Sequence, residues 1–486
     1  MTTVIIGNGI LALTTALRLA ITAGATDKII IVGKKERPGS ATLAAAAMLN
    51  SFCELDETSL DTDIDIFRFD LSYRATRMWP KFVLDHMDIA MKRNCLIGEC
   101  ATCQGDKGAC FELGTYLISN PSADSLDDTN YNVVVKALKD FMEPHFEIDP
   151  RDIPNYKPQQ RHRALRAVYI PNEGWLNPKL TIRSIEASVE CFDCVELVDA
   201  TVETIVKDGA EIGHVVLHDG TCISGDKFIV ANGAGAGELI SRSHLGITIP
   251  GIFCSVGVSI QISAPDSPHT KAIRTPNRGL ACGLYTVPFY TGPDRPLSDI
   301  IIGSSSFVSP TPHFEPRVGP IQSLLTGAME QINSDFYRAN VKCVNTGLRP
   351  LSADTYPVVG RSSINNLIIA TATKRDGFHL APVISETLAK LVHDEPIDAE
   401  WAHFAPERKL IRNLSREKAI DLGVRHMMSG SYQHGFVPSH DRLADRMKNM
   451  LKYELETLHD TVGAHEWGIP PELLDMYRYG HISAND

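Results

Sequence analysis

Residues Asn345 to Gly360 read NTGLRPLSADTYPVVG, a segment of interior character whose arginine, Arg349, sits between Leu348 and Pro350. A guanidinium in such surroundings is costly unless an anion meets it. Two anions satisfy that demand: a structural carboxylate such as Asp354, or a ligand carboxylate, which guanidinium matches in plane with paired donors. A second chemical signal opens the chain. In TVIIGNGILALTTALRLAITAG, Gly7, Gly9 and Ala12 form GxGxxA between a β run and a helical pattern. The first glycine permits the turn, the second lets a pyrophosphate approach the backbone, and the small third residue lets helix and strand pack. A third signal is the spacing C-x4-C-x2-C-x6-C at Cys95, Cys100, Cys103 and Cys110, with Cys191 and Cys194 as a further CxxC. Such spacings serve zinc or iron–sulfur sites. Here no metal is expected.

Positioning these groups requires elements, and the sequence marks several. KIIIVG is a second strand that completes the nucleotide-binding unit. It ends in Gly33, Lys34, Lys35 and Glu36 instead of the acid that usually holds ribose hydroxyls. Read alone, glycine with two lysines suits a 2′-phosphate and hence NADP. The next stretch, RPGSATLAAAAMLNSF (Arg37 to Phe52), is a run of small residues ending in Met-Leu. That composition suits a backbone lying flush against a large planar ligand, where side chains would be in the way.

Three later segments follow in a consistent order: EGWLNPKLTIRSIEASV; the β-meander ATVETIVKDGAEIGHVVLHDGTCISGDKFIVANGAGAGEL with a buried strand ending at Gly233; and TGLRPLSADTYPVVG followed by NLIIATATKRDGFHLAPVISETLAKLV. Together with the opening unit and the small-residue run, they resemble the glycine oxidase branch of the D-amino-acid-oxidase-like flavoproteins over residues 3 to 395. The resemblance implies noncovalent FAD in place of NADP. The cofactor contacts it implies are Gly7, Gly9, Ile10 and Leu11 at the first turn, and Gly33 and Lys34 after the second strand. Ala41, Thr42, Ala46, Ala47 and Met48 follow in the small-residue run, then Val202 on the meander and Gly233. Arg375, Asp376, Gly377, Phe378 and His379 complete the set in the closing loop. Arg349 is implied to fork onto the substrate carboxylate, with Arg375, Tyr285 and Met48 as further substrate contacts. For Tyr285 the alternative is a core tyrosine with a satisfied hydroxyl. Three positions depart from the family pattern. Ala47 stands where glycine is usual. The closing loop reads Ala372-Thr373-Lys374-Arg375-Asp376-Gly377 against the usual Gly-His-x-Arg-Asn-Gly, losing a histidine at Thr373 and gaining an acid at Asp376. Gly33 lacks the ribose acid, which Glu36 or backbone contacts would replace. Cys343 lies near the region where some related amine oxidases bind flavin covalently, but its distance in sequence from Asp354 does not suit that role.

The expected class is α/β (α+β overall). A Rossmann-like FAD-binding domain (1–57, 160–245 and 340–395) is interleaved with an antiparallel-sheet substrate domain (58–159 and 246–339). GLYTVPFY and DIIIGSSSF are expected strands of the latter. Residues 396–486 exceed the family's usual length. DRLADRMKNMLKYELETLHDTV and GIPPELLDMYRYG read as helices that pack on the body or on another subunit, without chemistry of their own. The expected activity is FAD-dependent oxidation of a small amino acid or N-substituted glycine. Hydride passes from the α carbon to flavin, giving an imine and, from oxygen, hydrogen peroxide, in a specialised biosynthetic setting. No general acid or base is assigned. The alternatives are a dehydrogenase with another electron acceptor and a non-catalytic FAD-binding assembly partner.

Composition sets the outer bounds. The 486 residues carry a net charge of −12 without a basic stripe, which excludes a nucleic-acid partner. No apolar run approaches the ~20 residues of a membrane span. The N-terminus enters a strand at once, so a cytoplasmic protein with its eleven cysteines as thiols is expected, and a homo-oligomer is expected as well.

Overall fold

The computed structural model describes residues 1–92, 111–123, 125–278, 283–289, 298–433 and 435–484. The Cys95, Cys100, Cys103 and Cys110 cluster lies outside them. Two sheets organise the molecule. The smaller has six strands in the order Val358–Arg361, Leu367–Thr371, Lys227–Val230, Thr2–Ile6, Lys28–Val32 and Val195–Val198. All neighbours are parallel except Val358–Arg361, which runs antiparallel to Leu367–Thr371. Its inner strands are largely continuous apolar runs because both faces are covered. Ile5, Ile29, Ile31, Ile229 and Ile368 face one core with the helices Ile10–Thr22 and Ala381–Val392. Val4, Ile6, Ile30, Phe228 and Ile369 face the other, under the antiparallel meander Val202–Asp208, Glu211–Leu217 and Cys222–Ser224. The two-residue period of a strand thus divides one apolar sequence between two cores. This is the Rossmann-like half.

The larger sheet has ten strands and is almost wholly antiparallel. Tyr285–Pro288 and Asp299–Gly303 pair within it, where the sequence places them. Its longest ladder joins Ile252–Ser263 to Asn340–Ser352 and sets Arg349 opposite Ser255 and Gly347 opposite Gly257. The strand Arg166–Leu176 also belongs here, so segments 160–245 and 340–395 each lend this sheet a strand.

The C-terminal region is helical, as expected. Arg416–Gln433, Asp441–Val462 and the short Leu474–Arg478 enclose a core with Ile420, Leu455 and Leu473, closed on the body side by Phe253 and Leu351. Buried His459 ties it together: its Nδ1 bonds the Leu455 carbonyl at 2.8 Å, and its Nε2 accepts from Ile469 N at 3.0 Å. Among the described residues, no helix is long and apolar enough to cross a membrane. Cys191 is disulfide-bonded, which corrects the expectation of a wholly thiol complement.

Candidate active site

A cavity of about 600 Å³ is lined from both sheets, and apart from Glu36 every cofactor and substrate candidate named from the sequence lines it. At its nucleotide end the chain turns at Gly7, whose φ is +115° and whose N–H donates to the Val32 carbonyl at 2.8 Å. A Cβ there would stand 2.5 Å from the Ala231 carbonyl oxygen, so only glycine fits. Gly9 is the N-cap of helix Ile10–Thr22 and offers no side-chain cap; Thr42 Oγ1 accepts from Ile10 N at 3.3 Å, and the helix's positive end faces the cavity. Gly33 has a local reason to lack a side chain: a Cβ would stand 2.6 Å from the Asn8 side chain, whose amide donates to the Lys34 carbonyl at 2.8 Å. Lys34 lines the cavity and Glu36 does not. Arg37, which also lines the cavity, bonds the Asn8 carbonyl at 2.9 Å and pairs with Glu186, which fixes this turn.

In the middle of the cavity the small-residue run forms a short helix, Ala41–Ala44, whose start is capped by Ser40 Oγ accepting from Leu43 N at 3.3 Å. Gly347 lets this wall approach the Arg349 strand, since a Cβ at Gly347 would lie 2.8 Å from Ala44 Cβ. Ala47 holds φ at +47°, a left-handed conformation that favours glycine.

The far end is built from side chains. Arg349 is half-buried, and its Nη1 donates to the Ser305 carbonyl at 3.0 Å. The guanidinium fills the space above Gly257, where a Cβ would fall inside it. Asp354, its proposed structural partner, is instead held by Arg408 at 2.8 Å and by the Ile411 N–H at 3.0 Å. Among the described residues, no carboxylate forms an ion pair with Arg349. The ring of Tyr285 lies over Gly303, its cross-strand neighbour, and Met48 packs on the same cluster.

The closing loop between Leu367–Thr371 and Ala381–Val392 presents Arg375 and Asp376 to the cavity. The extra acid is neutralised: Asp376 pairs with Arg68 at 3.0 Å. Burial alone would raise its carboxyl, but Arg68 and Arg375 outweigh that and hold it below the usual range. Arg68 belongs to one stripe of helix Asp63–Lys92 that buttresses the loop. Thr76 Oγ1 bonds His379 Nε2 at 2.7 Å, and Trp79 Nε1 donates to the His379 carbonyl at 2.8 Å while its ring stacks on Phe378. Burial pushes the His379 imidazole down to about 4, so it is neutral over the ordinary pH range. The loop has no histidine at Thr373, but it carries this neutral one six residues on.

Sequence reasoning missed Glu54. Its carboxylate bridges the buried Arg274 at 2.6 Å and Arg375 at 3.7 Å, and nothing in SFCELD signals that role. Cys343 does not line the cavity. Cys254 does, and burial raises its thiol so that it stays protonated.

A Rossmann sheet whose nucleotide cavity is roofed by an antiparallel sheet is the architecture of two-domain flavoprotein oxidoreductases. Residues 2–391 match the family described as FAD dependent oxidoreductase (DAO), and the chain belongs to that family. The bifunctional protein ThiO/ThiG of a Nostoc species is 27% identical over 262 residues, 54% of this chain and 37% of that protein. Glycine oxidase of Bacillus licheniformis is 32% identical over 97 residues, 20% of this chain and 26% of that enzyme. The chain thus matches well under two thirds of the length of these curated relatives. Among solved structures, glycine oxidase from Geobacillus kaustophilus is similar with a TM-score of 0.67 at 18% identity, covering 84% of this chain and 99% of its own. Iminodiacetate oxidase from Chelativorans sp. BNC1 gives 0.66 at 19%, covering 84% and 100%. These two likenesses establish the fold.

FAD is the cofactor of this family, and the cavity fits it. The helix start at Gly9 suits a pyrophosphate, and the narrow wall from Ala44 to Ala47 leaves room for a planar ring.

Proposed function

We propose that this chain is an FAD-dependent oxidase of a small amino acid or N-substituted glycine, with noncovalent flavin and oxygen as electron acceptor. The observation that carries the reading is Arg349, an interior guanidinium that lines the cavity while the nearby acid, Asp354, is engaged by Arg408. A substrate carboxylate completes it, because the two parallel donors of guanidinium fix the carboxylate plane as well as its charge. The Ser305 carbonyl holds Nη1, and the bare backbone of Gly257 lets the guanidinium lie flat. Tyr285 and Met48 border the space that remains. Gly7, Gly9, the Ala44–Ala47 wall, Val202 and the closing loop would hold the FAD, which supplies the acceptor for the two electrons taken from the amine. The protein's contribution is then placement and charge, without a general base. His379 is spoken for by Thr76, and its neutrality makes it a poor source of positive charge.

The test is direct. Purified protein should be yellow, should release its flavin on acid precipitation, and should bleach anaerobically with one or more small amino acids or N-alkylglycines. Peroxide should appear in equal amount to product in air. Colour that stays with the precipitate contradicts noncovalent binding. Bleaching without peroxide in air replaces the oxidase with a dehydrogenase, and no bleaching by any such amine overturns the substrate class.

A further inference from the structure

The family match ends at residue 391, and every residue lining the first cavity lies before that point, yet the loop that closes it is held in part from beyond. Lys374, Arg375 and Asp376 are consecutive charged residues, and each is tied to a different part of the chain. Asp376 meets Arg68 of the long helix, Arg375 meets Glu54 of the loop after the small-residue run, and Lys374 meets Glu472 at 2.6 Å. Glu472 lies in the turn Pro471–Leu473 of the C-terminal extension. Both members of this third pair are largely shielded, with side chains 12% and 20% exposed. The loop they hold is not relaxed by itself, since Ala372 and Lys374 have φ of +56° and +54°. Such conformations persist only where surrounding contacts over-determine them. The extension also grips the Arg349 strand at its end, through Arg408 on Asp354. A second cavity of about 210 Å³ separates these grips, lined by the extension and sharing Glu54, Lys374, Arg375 and Asp376 with the first.

We infer that Glu472 is a positioning residue of the active site. Through Lys374 the extension sets the loop that carries Arg375 and Asp376, so residues 396–486 complete the catalytic wall in addition to packing on it. This goes beyond the expectation that the extension only packs on the body or on another subunit. The inference takes from the proposed function only that a carboxylate binds beside a flavin in the first cavity. A carboxylate at position 472 is what the geometry requires. The charge keeps the lysine stem extended, and an isosteric amide would occupy the same volume without holding the ammonium.

The experiment compares wild type, Glu472→Gln and Glu472→Asp by two readouts. One is hydrogen exchange of the backbone amides of residues 372–380. The other is the affinity for acetate, a bare carboxylate, followed by its perturbation of the visible flavin spectrum. Glu472→Gln should exchange faster in that segment and bind acetate roughly tenfold more weakly at unchanged flavin content, a coupling of ordinary size between linked sites. Glu472→Asp should recover part of both. If Glu472→Gln does not fold, Lys374→Met/Glu472→Gln, which leaves no orphaned buried charge, is read instead and should show the same two deficits. Wild-type exchange and wild-type acetate affinity in whichever variant is read overturn the inference. A wild-type protein isolated without flavin would overturn the FAD site, and the exchange comparison would then decide the role of Glu472 alone.

Discussion

At the nucleotide end of the cavity, Gly7, Gly9, Gly33 and the alanines from 44 to 47 offer backbone and empty space. At the other end, Arg349, Arg375 and Asp376 are held by Ser305, Glu54 and Arg68 from three distant segments. The first construction is made of backbone and close approach, with Gly7 fitted against the Ala231 carbonyl. A glycine is required because a particular neighbouring atom would otherwise collide, and the turn, helix start and strand follow each other in sequence. The second is tertiary, since each charge is placed by a partner that sequence proximity does not reveal. On the proposed reading, the cofactor would be held by bare backbone, whereas the group that orients the substrate would be set by side-chain pairing.

The largest effect expected from breaking this contrast is at Gly9. Its backbone is extended, with φ −77° and ψ −172°, and a Cβ would meet only Thr42 Oγ1, at 3.4 Å. Gly9→Val should therefore fold but emerge colourless, because the branched side chain fills the space a pyrophosphate needs. Full FAD occupancy in that variant, measured after denaturation, would show that the nucleotide lies elsewhere. At the opposite end, Arg349→Ala should keep its flavin and lose about 2–5 kcal/mol in kcat/KM, the usual cost of removing one partner from a buried charge pair. Arg349→Lys should restore only part of this.

A smaller effect concerns Glu173, which holds the Glu54 loop by accepting from Phe52 N and Cys53 N at 2.5 and 3.3 Å. Burial raises its carboxyl to about 7. Between the ordinary carboxylate range and pH 7 the folded state therefore binds more protons than the unfolded state. The stability this contributes is present at low pH and lost as pH rises through 7. Glu173→Gln should melt close to wild type at pH 5 and gain on it progressively up to pH 8. Parallel melting curves at every pH would contradict the buried-acid account. The smallest effect is at Ala47: Ala47→Gly should relieve its left-handed backbone and stabilise the protein by about 1 kcal/mol, read as a modest rise in Tm.

How far each region was legible in the sequence follows the same division. The Rossmann unit and its turn were readable because KIIIVG and TVIIGNG carry both period and glycine geometry. The strands around Tyr285 and Asp299 and the helix Asp441–Val462 were readable by apolar spacing. Arg349 was readable as an anomaly, but its freedom from Asp354 was not, because Arg408 lies 54 residues further on. The stripe of Arg68, Thr76 and Trp79 looks like any helix until the loop it supports is in place. Glu472 sits in a proline-rich turn with no motif, and only the fold brings it to Lys374.

The measurement closest to the central claim takes Arg349→Ala and wild type through melting and anaerobic flavin reduction on the same preparations, with an amine that bleaches the wild type. The expected result is an unchanged flavin content and Tm with reduction slowed by about 10- to 10⁴-fold at limiting substrate. A variant that melts early yet reduces its flavin at the wild-type rate while folded would contradict a carboxylate-binding role for Arg349.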